Sequence, residues 1–117
     1  MTPHPMEGDM KRYASHFLFF PDYGYLERHA VEVCRGRIVR IFPLEEEVES
    51  TEWLPGVIAL LADEEGDLSM FGRGRHRLQT IPPTVEKKLP LLYPVLFSPF
   101  DFTTMRPVAG TRHRPLR

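Results

Sequence analysis

The chain has 117 residues, of which 42% are hydrophobic and 26% charged, with a formal net charge of −1. That length suits one ordinary domain and excludes an enzyme barrel, which needs about 250 residues. The near-neutral total gives no overall attraction to nucleic acid or anionic membranes. Twelve prolines are about twice the usual share of roughly 5%. Proline in that quantity opposes long helices and favours short strands and turns. The predicted class is mainly β: a small meander sheet or open barrel of five to seven short strands, with at most one short helix.

In chain order, residues 1–12 read as a mobile leader, residues 13–102 as a single β-rich domain, and residues 103–117 as a basic extended tail. Ser15 to Phe20 is a β-prone run closed by the turn residues Pro21-Asp22-Tyr23-Gly24. Leu26 to Cys34 reads as a strand, with Val31 and Val33 on one face and Glu32 on the other. Arg35-Gly36 and then Arg37 to Phe42 complete the clearest hairpin signal. A two-residue loop sets Val33 opposite Ile38, whereas a three-residue loop with a bulge at Gly36 sets Val31 opposite Val39. Pro43 stops the second strand. Glu52 to Leu61 is a third strand region, with a kink, bulge or edge position at Pro55-Gly56. Leu68 to Phe71 and Arg75 to Ile81 suggest further short strands. Thr84 is a candidate N-cap for a helical turn, and Leu91 to Phe97 suggests a strand or a buried extended segment.

Charge is segregated beneath the neutral total. Residues 1–40 carry net +1, residues 41–72 net −9 and residues 73–117 net +7. Two arrangements follow. Either the acidic and basic segments face each other, within one fold or across a dimer, or a basic face docks an anionic partner.

The segment Val31-Glu32-Val33-Cys34-Arg35-Gly36-Arg37-Ile38-Val39-Arg40-Ile41, followed by Trp53-Leu54-Pro55-Gly56-Val57-Ile58, resembles the opening strands of the amidohydrolase superfamily of metal-dependent hydrolases. Those enzymes begin with a small β domain and pass through Leu-Pro-Gly-Val-Ile into a catalytic barrel. The resemblance covers roughly residues 25–60. It implies the superfamily's noncatalytic β domain without its chemistry. Where the family has Asp, Ala59 stands here. Where it has the metal-binding His-x-His, Leu61 and Asp63 stand. The whole chain also looks like short Bacteroides-type proteins labelled after that superfamily.

His4, His16, His29, His76 and His113 lie too far apart in sequence to form a local metal pair. No nucleophile motif frames any serine, and Cys34 reads as a structural strand cysteine. No catalytic residue, metal ligand or cofactor is assigned. Gly72-Arg73-Gly74-Arg75-His76-Arg77 is the best candidate for anion contact, because glycines admit a phosphate to the backbone and arginines grip it bidentately. The tail Arg112-His113-Arg114-Pro115-Leu116-Arg117 is a second basic cluster. The candidate anion-binding set is therefore Arg73, Arg75, His76, Arg77, Arg112 and Arg114.

The expected function is a noncatalytic binding or protein-interaction module, with an unidentified protein or a second copy of itself as partner. A homodimer would cover open sheet edges. One alternative is a nucleic-acid-associated protein using the Arg-rich loop and tail. Another is a small metal-dependent hydrolase or deaminase with an unrecognised site. The single cysteine and the lack of a signal-like apolar run place the expected chain in the cytoplasm, away from membranes.

Overall fold

The structure is a computed structural model that describes residues 10–44, 51–72 and 76–117. It is mainly β, with 56% strand and 12% helix, arranged as two open mixed sheets. The strands are β1 (Met10–Ala14), β2 (Phe17–Phe20), β3 (Gly24–Leu26), β4 (His29–Cys34), β5 (Arg37–Pro43), β6 (Thr51–Trp53), β7 (Val57–Leu61), β8 (His76–Leu78), β9 (Tyr93–Asp101) and β10 (Arg106–Pro115). The four-stranded sheet runs β5-β4-β1-β6 and the six-stranded sheet runs β10-β9-β7-β2-β3-β8. Helix α1 is one turn, Pro83–Glu86. Among the described residues, no helix is long and apolar enough to cross a membrane.

Three pairs of strands are single ribbons that leave one sheet and enter the other. β1 continues into β2 after Ser15-His16, β3 into β4 after Glu27-Arg28, and β6 into β7 after Leu54-Pro55-Gly56. Counted as ribbons, the ten segments reduce to seven. Strands that switch sheets at bends make the corners of orthogonally packed sheets. The first two ribbons form one hairpin with an unslipped register. It runs from Met10↔Cys34 to Ala14↔Ala30 in one sheet and from Leu18↔Leu26 to Phe20↔Gly24 in the other.

The third ribbon lies parallel to the first and does slip. Ala14 faces Trp53, yet Phe17 faces Val57, so Leu54-Pro55-Gly56 holds one residue more than Ser15-His16. That is a bulge, with Gly56 at φ +128°. A residue with a Cβ is strained there, which explains why glycine occupies the turn.

Alternation along the ribbons accounts for two apolar layers. Leu18, Phe20, Ile58, Leu60 and Leu96 point between the sheets, where they meet Tyr13, Val31, Val33, Ile38 and Ile41. Phe19, Val57, Ala59, Leu61, Val95 and Phe97 point to the opposite face. There the 3-10 turn Leu68–Gly72 covers them with Met70 and Phe71. The ring of Phe71 lies 4.7 Å from that of Phe19 and 5.1 Å from that of Phe97. A strand buried on both faces reads as a continuous apolar run, and Val57–Leu61 is buried throughout. Val85 of α1 and Leu89 close the inter-sheet layer.

The Arg35-Gly36 turn adopts left-handed backbone at both residues, φ 52° and 80°, as a two-residue type I′ turn requires. Val33 accordingly faces Ile38, and the register then shifts by one. The extra residue is Val39, so Glu32 comes to face Arg40. Glu32 is 5% exposed. Its carboxylate accepts Arg12 Nε–H at 2.8 Å and Arg40 Nε–H at 3.3 Å. Burial alone would push this carboxyl up. The hydrogen bonds and charges of Arg12 and Arg40 outweigh burial and hold it below its ordinary 4.5.

A depressed carboxyl contributes stability that is present above its ordinary pKa and lost as pH falls through the folded value. Glu32→Gln should therefore lower the neutral-pH denaturation midpoint and flatten its decline between about pH 7 and pH 3. A variant with the wild-type slope would show that Glu32 does not supply this term.

Several segments differ from the sequence expectation. Met10, Lys11 and Arg12 belong to β1 rather than to a leader, and residues 1–9 lie outside the described residues. Leu68–Gly72 is a 3-10 turn rather than a strand. Thr84 does not cap α1, which begins after Pro82 without a side-chain cap. Its hydroxyl instead shares a 2.7 Å hydrogen bond with the Tyr23 hydroxyl. The basic C-terminal segment is extended but paired: β10 hydrogen-bonds to β9, and Leu116 is 1% exposed within the inter-sheet layer.

Candidate functional site

The two arms of the long hairpin change sheets at Ser15-His16 and Glu27-Arg28, and an open groove follows that corner. One cleft, about 450 Å³, is lined by Glu27, Arg28, His29 and Leu44 together with Arg77 of β8. A second, about 230 Å³, is lined by Ser15, His16, Glu27, Arg28, Leu44 and Trp53. Glu27, Arg28 and Leu44 line both, so the two clefts are neighbours along the corner. Alongside them Ala14, Ala30, Phe42 and Leu44 pack as a small apolar cluster on the outer face of the four-stranded sheet.

Arg28 has a left-handed backbone, φ 59°, and its carbonyl accepts the Leu44 N–H at 2.7 Å. A non-glycine residue in this region is uncommon and is held by its surroundings. His29 Nδ1 lies 2.8 Å from the Glu27 carbonyl oxygen. A carbonyl only accepts, so Nδ1 is the donor in this hydrogen bond. Arg77 Nη1 pairs with Glu27 Oε1 at 3.2 Å, with both side chains largely exposed. An exposed pair of this kind contributes only about 0–1 kcal/mol.

Trp53 is 55% exposed. The His16 ring meets it edge-on at 5.2 Å and meets Phe102 at 4.2 Å. The Gly56 N–H donates to His16 Nδ1 at 3.3 Å. The imidazole is thereby held by a backbone donor on one side and by rings on two others. The Ser15 hydroxyl donates to the Phe17 carbonyl at 2.7 Å, so its proton is directed at the backbone, and no base among these lining residues faces it.

The sequence candidates divide. Arg73 and Arg75 lie outside the described residues. His76 and Arg77 sit on β8, and Arg77 enters the groove. Arg112 and Arg114 sit on β10 at the opposite edge of the six-stranded sheet. They are exposed and make no ion pair among the described residues. Of the basic C-terminal third, Arg117 pairs with the acidic middle segment, through Glu64 at 2.8 Å. Arg77 pairs instead with Glu27, outside that segment.

Among the described residues, no group of three or more His, Cys, Asp or Glu side chains is placed to hold a metal ion. At the positions where the amidohydrolase pattern has its Asp and histidines, Ala59 and Leu61 pack in the aromatic layer. Asp63 Oδ1 there accepts the N–H groups of Glu65 and Gly66, closing a turn. Cys34 is a half-buried free thiol.

Sequence reasoning missed His16, Arg28 and Trp53 as neighbours. Their signal was the lone tryptophan beside Pro55-Gly56, but Leu26 to Cys34 read as one unbroken strand and hid the corner. No family model, curated protein or solved structure matches this chain.

Proposed function

We propose that this protein is a noncatalytic binding module whose recognition surface is the corner groove. The supporting observation is that two neighbouring clefts share Glu27, Arg28 and Leu44 between an exposed indole and an exposed ion pair. Concave sites with a few convergent polar groups are the ordinary form of ligand sites. The groove offers rings, guanidinium donors and a carboxylate, which serve recognition, without a hydroxyl or thiol nucleophile set against a base. The test is amide chemical-shift mapping with a panel of nucleotides, sugar phosphates, carboxylates and acidic peptides. Shifts should gather at His16, Glu27 to His29, Leu44, Trp53 and Arg77. Shifts confined to other surfaces would overturn the reading, as would turnover of ester, amide or amidine panels by the purified protein.

A second reading rests on Arg112 and Arg114. They occupy one face of an edge strand without ion-pair partners among the described residues, and alternate residues on a strand stand about 6.7 Å apart. That spacing suits a nucleic-acid backbone. If it holds, single-stranded nucleic acid will bind with steep salt dependence, and Arg112→Ala/Arg114→Ala will flatten the log–log slope by about 1–2 units. Salt-independent binding, or no binding at low salt, removes this reading.

A further inference from the structure

We propose that the groove takes a small heteroaromatic anion of the mononucleotide class, with its ring against Trp53 and its anionic group at Arg28. The proposal rests on the reading of the groove as a ligand site and gives it a chemistry.

Trp53 sits on β6, an edge strand whose partner is β1, and 55% of it remains in water. A large ring gains when a planar partner covers it, and base–aromatic stacking is sequence-tolerant because every base has a π face. His16 already fixes the indole edge-on and is itself held by Gly56 N–H. Little side-chain freedom is then lost on binding, which favours affinity.

Arg28 lines both clefts and makes no ion pair among the described residues. A planar guanidinium fork matches phosphate and carboxylate geometry. Arg77 stands across the groove with its charge already met by Glu27. The side chains of Glu27, Arg28 and Arg77 together carry net +1 among the described residues, which favours an anion over a neutral or cationic ligand. The Glu27 carboxylate remains as an acceptor for ribose hydroxyls or an exocyclic amine. The larger cleft, about 450 Å³, falls in the range of small-ligand sites, roughly 300–1,000 Å³, and the 230 Å³ cleft beside it shares Arg28.

Trp53 is the single tryptophan of the chain, so its fluorescence reports from the groove alone. The experiment titrates the full chain with adenosine 5′-monophosphate, adenosine and ribose 5-phosphate. The monophosphate should quench Trp53 saturably. Adenosine and ribose 5-phosphate should each bind at least about tenfold more weakly, a loss of about 1.4 kcal/mol. Arg28→Asn should weaken the monophosphate by a similar factor. Asparagine tolerates the left-handed backbone, so the variant keeps the corner, and an unchanged thermal midpoint verifies this. Lys87→Ala, just beyond the end of α1 and away from the groove, should bind as the parent does. Absence of saturable quenching, equal affinity for adenosine and its monophosphate, or full affinity in Arg28→Asn would each overturn the proposal. If the monophosphate fails while other panel members still shift the groove amides, the nucleotide class falls and the binding-module reading stands.

Discussion

Leu116→Ala should destabilise the fold by about 2–5 kcal/mol, the range for emptying a buried leucine site. A domain of this size has about 5–15 kcal/mol in total, so the expected loss is a large fraction of its stability. The reason is positional. Leu116 is 1% exposed and lies in the inter-sheet layer with Tyr13, Leu96 and Ile38. Its N–H donates to the Pro94 carbonyl at 2.9 Å. Just beyond it, the Tyr13 hydroxyl donates to the Arg117 carbonyl at 3.0 Å, and Arg117 reaches Glu64. The Tyr13 phenol is pushed above its ordinary pKa, first by burial and then by Glu52, with Arg114 acting in the opposite direction. A free basic tail would instead tolerate Leu116→Ala within about 0.5 kcal/mol, as surface positions do. Urea denaturation distinguishes the two, with Arg114→Ala as the exposed neighbour expected to stay within about 0.5 kcal/mol.

Gly56→Ala is the second large effect. At φ +128° a side chain is strained, and a Cβ there would strike the Phe97 carbonyl oxygen of the neighbouring strand. Backbone strain of this kind costs about 1–3 kcal/mol before the collision is relieved. The collision adds to that figure because β7 and β9 pair directly at Val57↔Phe97 and neither can retreat without breaking the ladder. Gly56 also donates to His16, which buttresses Trp53. The variant should therefore lose stability and shift the Trp53 emission together. Gly110→Ala in β10 is the matched contrast. A Cβ there meets nothing within 4 Å, and relief of glycine's unfolded-state entropy should leave that variant neutral or slightly more stable. Equal stability of the two variants would contradict the corner assignment.

The β class, the Arg35-Gly36 hairpin and the Pro55-Gly56 bulge were legible in the sequence because each has a local cause. Proline removes a ladder donor, glycine accepts positive φ, and period-2 alternation marks a face. The corners were not legible. Ser15-His16 and Glu27-Arg28 carry no proline or glycine, and Arg28 takes a left-handed backbone that its residue type does not announce. The C-terminal strand was hidden for a different reason. Its prolines, glycine and arginines have the composition of a tail, and its order comes from pairing with β9 and from one buried leucine. Long-range pairing of that kind leaves little trace in local composition. The segregated charge likewise did not tell which residues would meet. The basic residues on β8 and β10 cluster in sequence but are set at opposite edges of one sheet, so strand order rather than charge decides which of them reach the groove.

The groove depends on one hairpin that crosses both sheets without slipping, because that continuity brings His16, Arg28 and Trp53 to a common corner. Backbone nuclear Overhauser contacts measure it directly. Tyr13 should contact Val31 in the four-stranded sheet and Phe19 should contact Tyr25 in the six-stranded sheet, as a single register requires. An offset of one residue in either arm would turn His16 and Arg28 to opposite faces and contradict the groove.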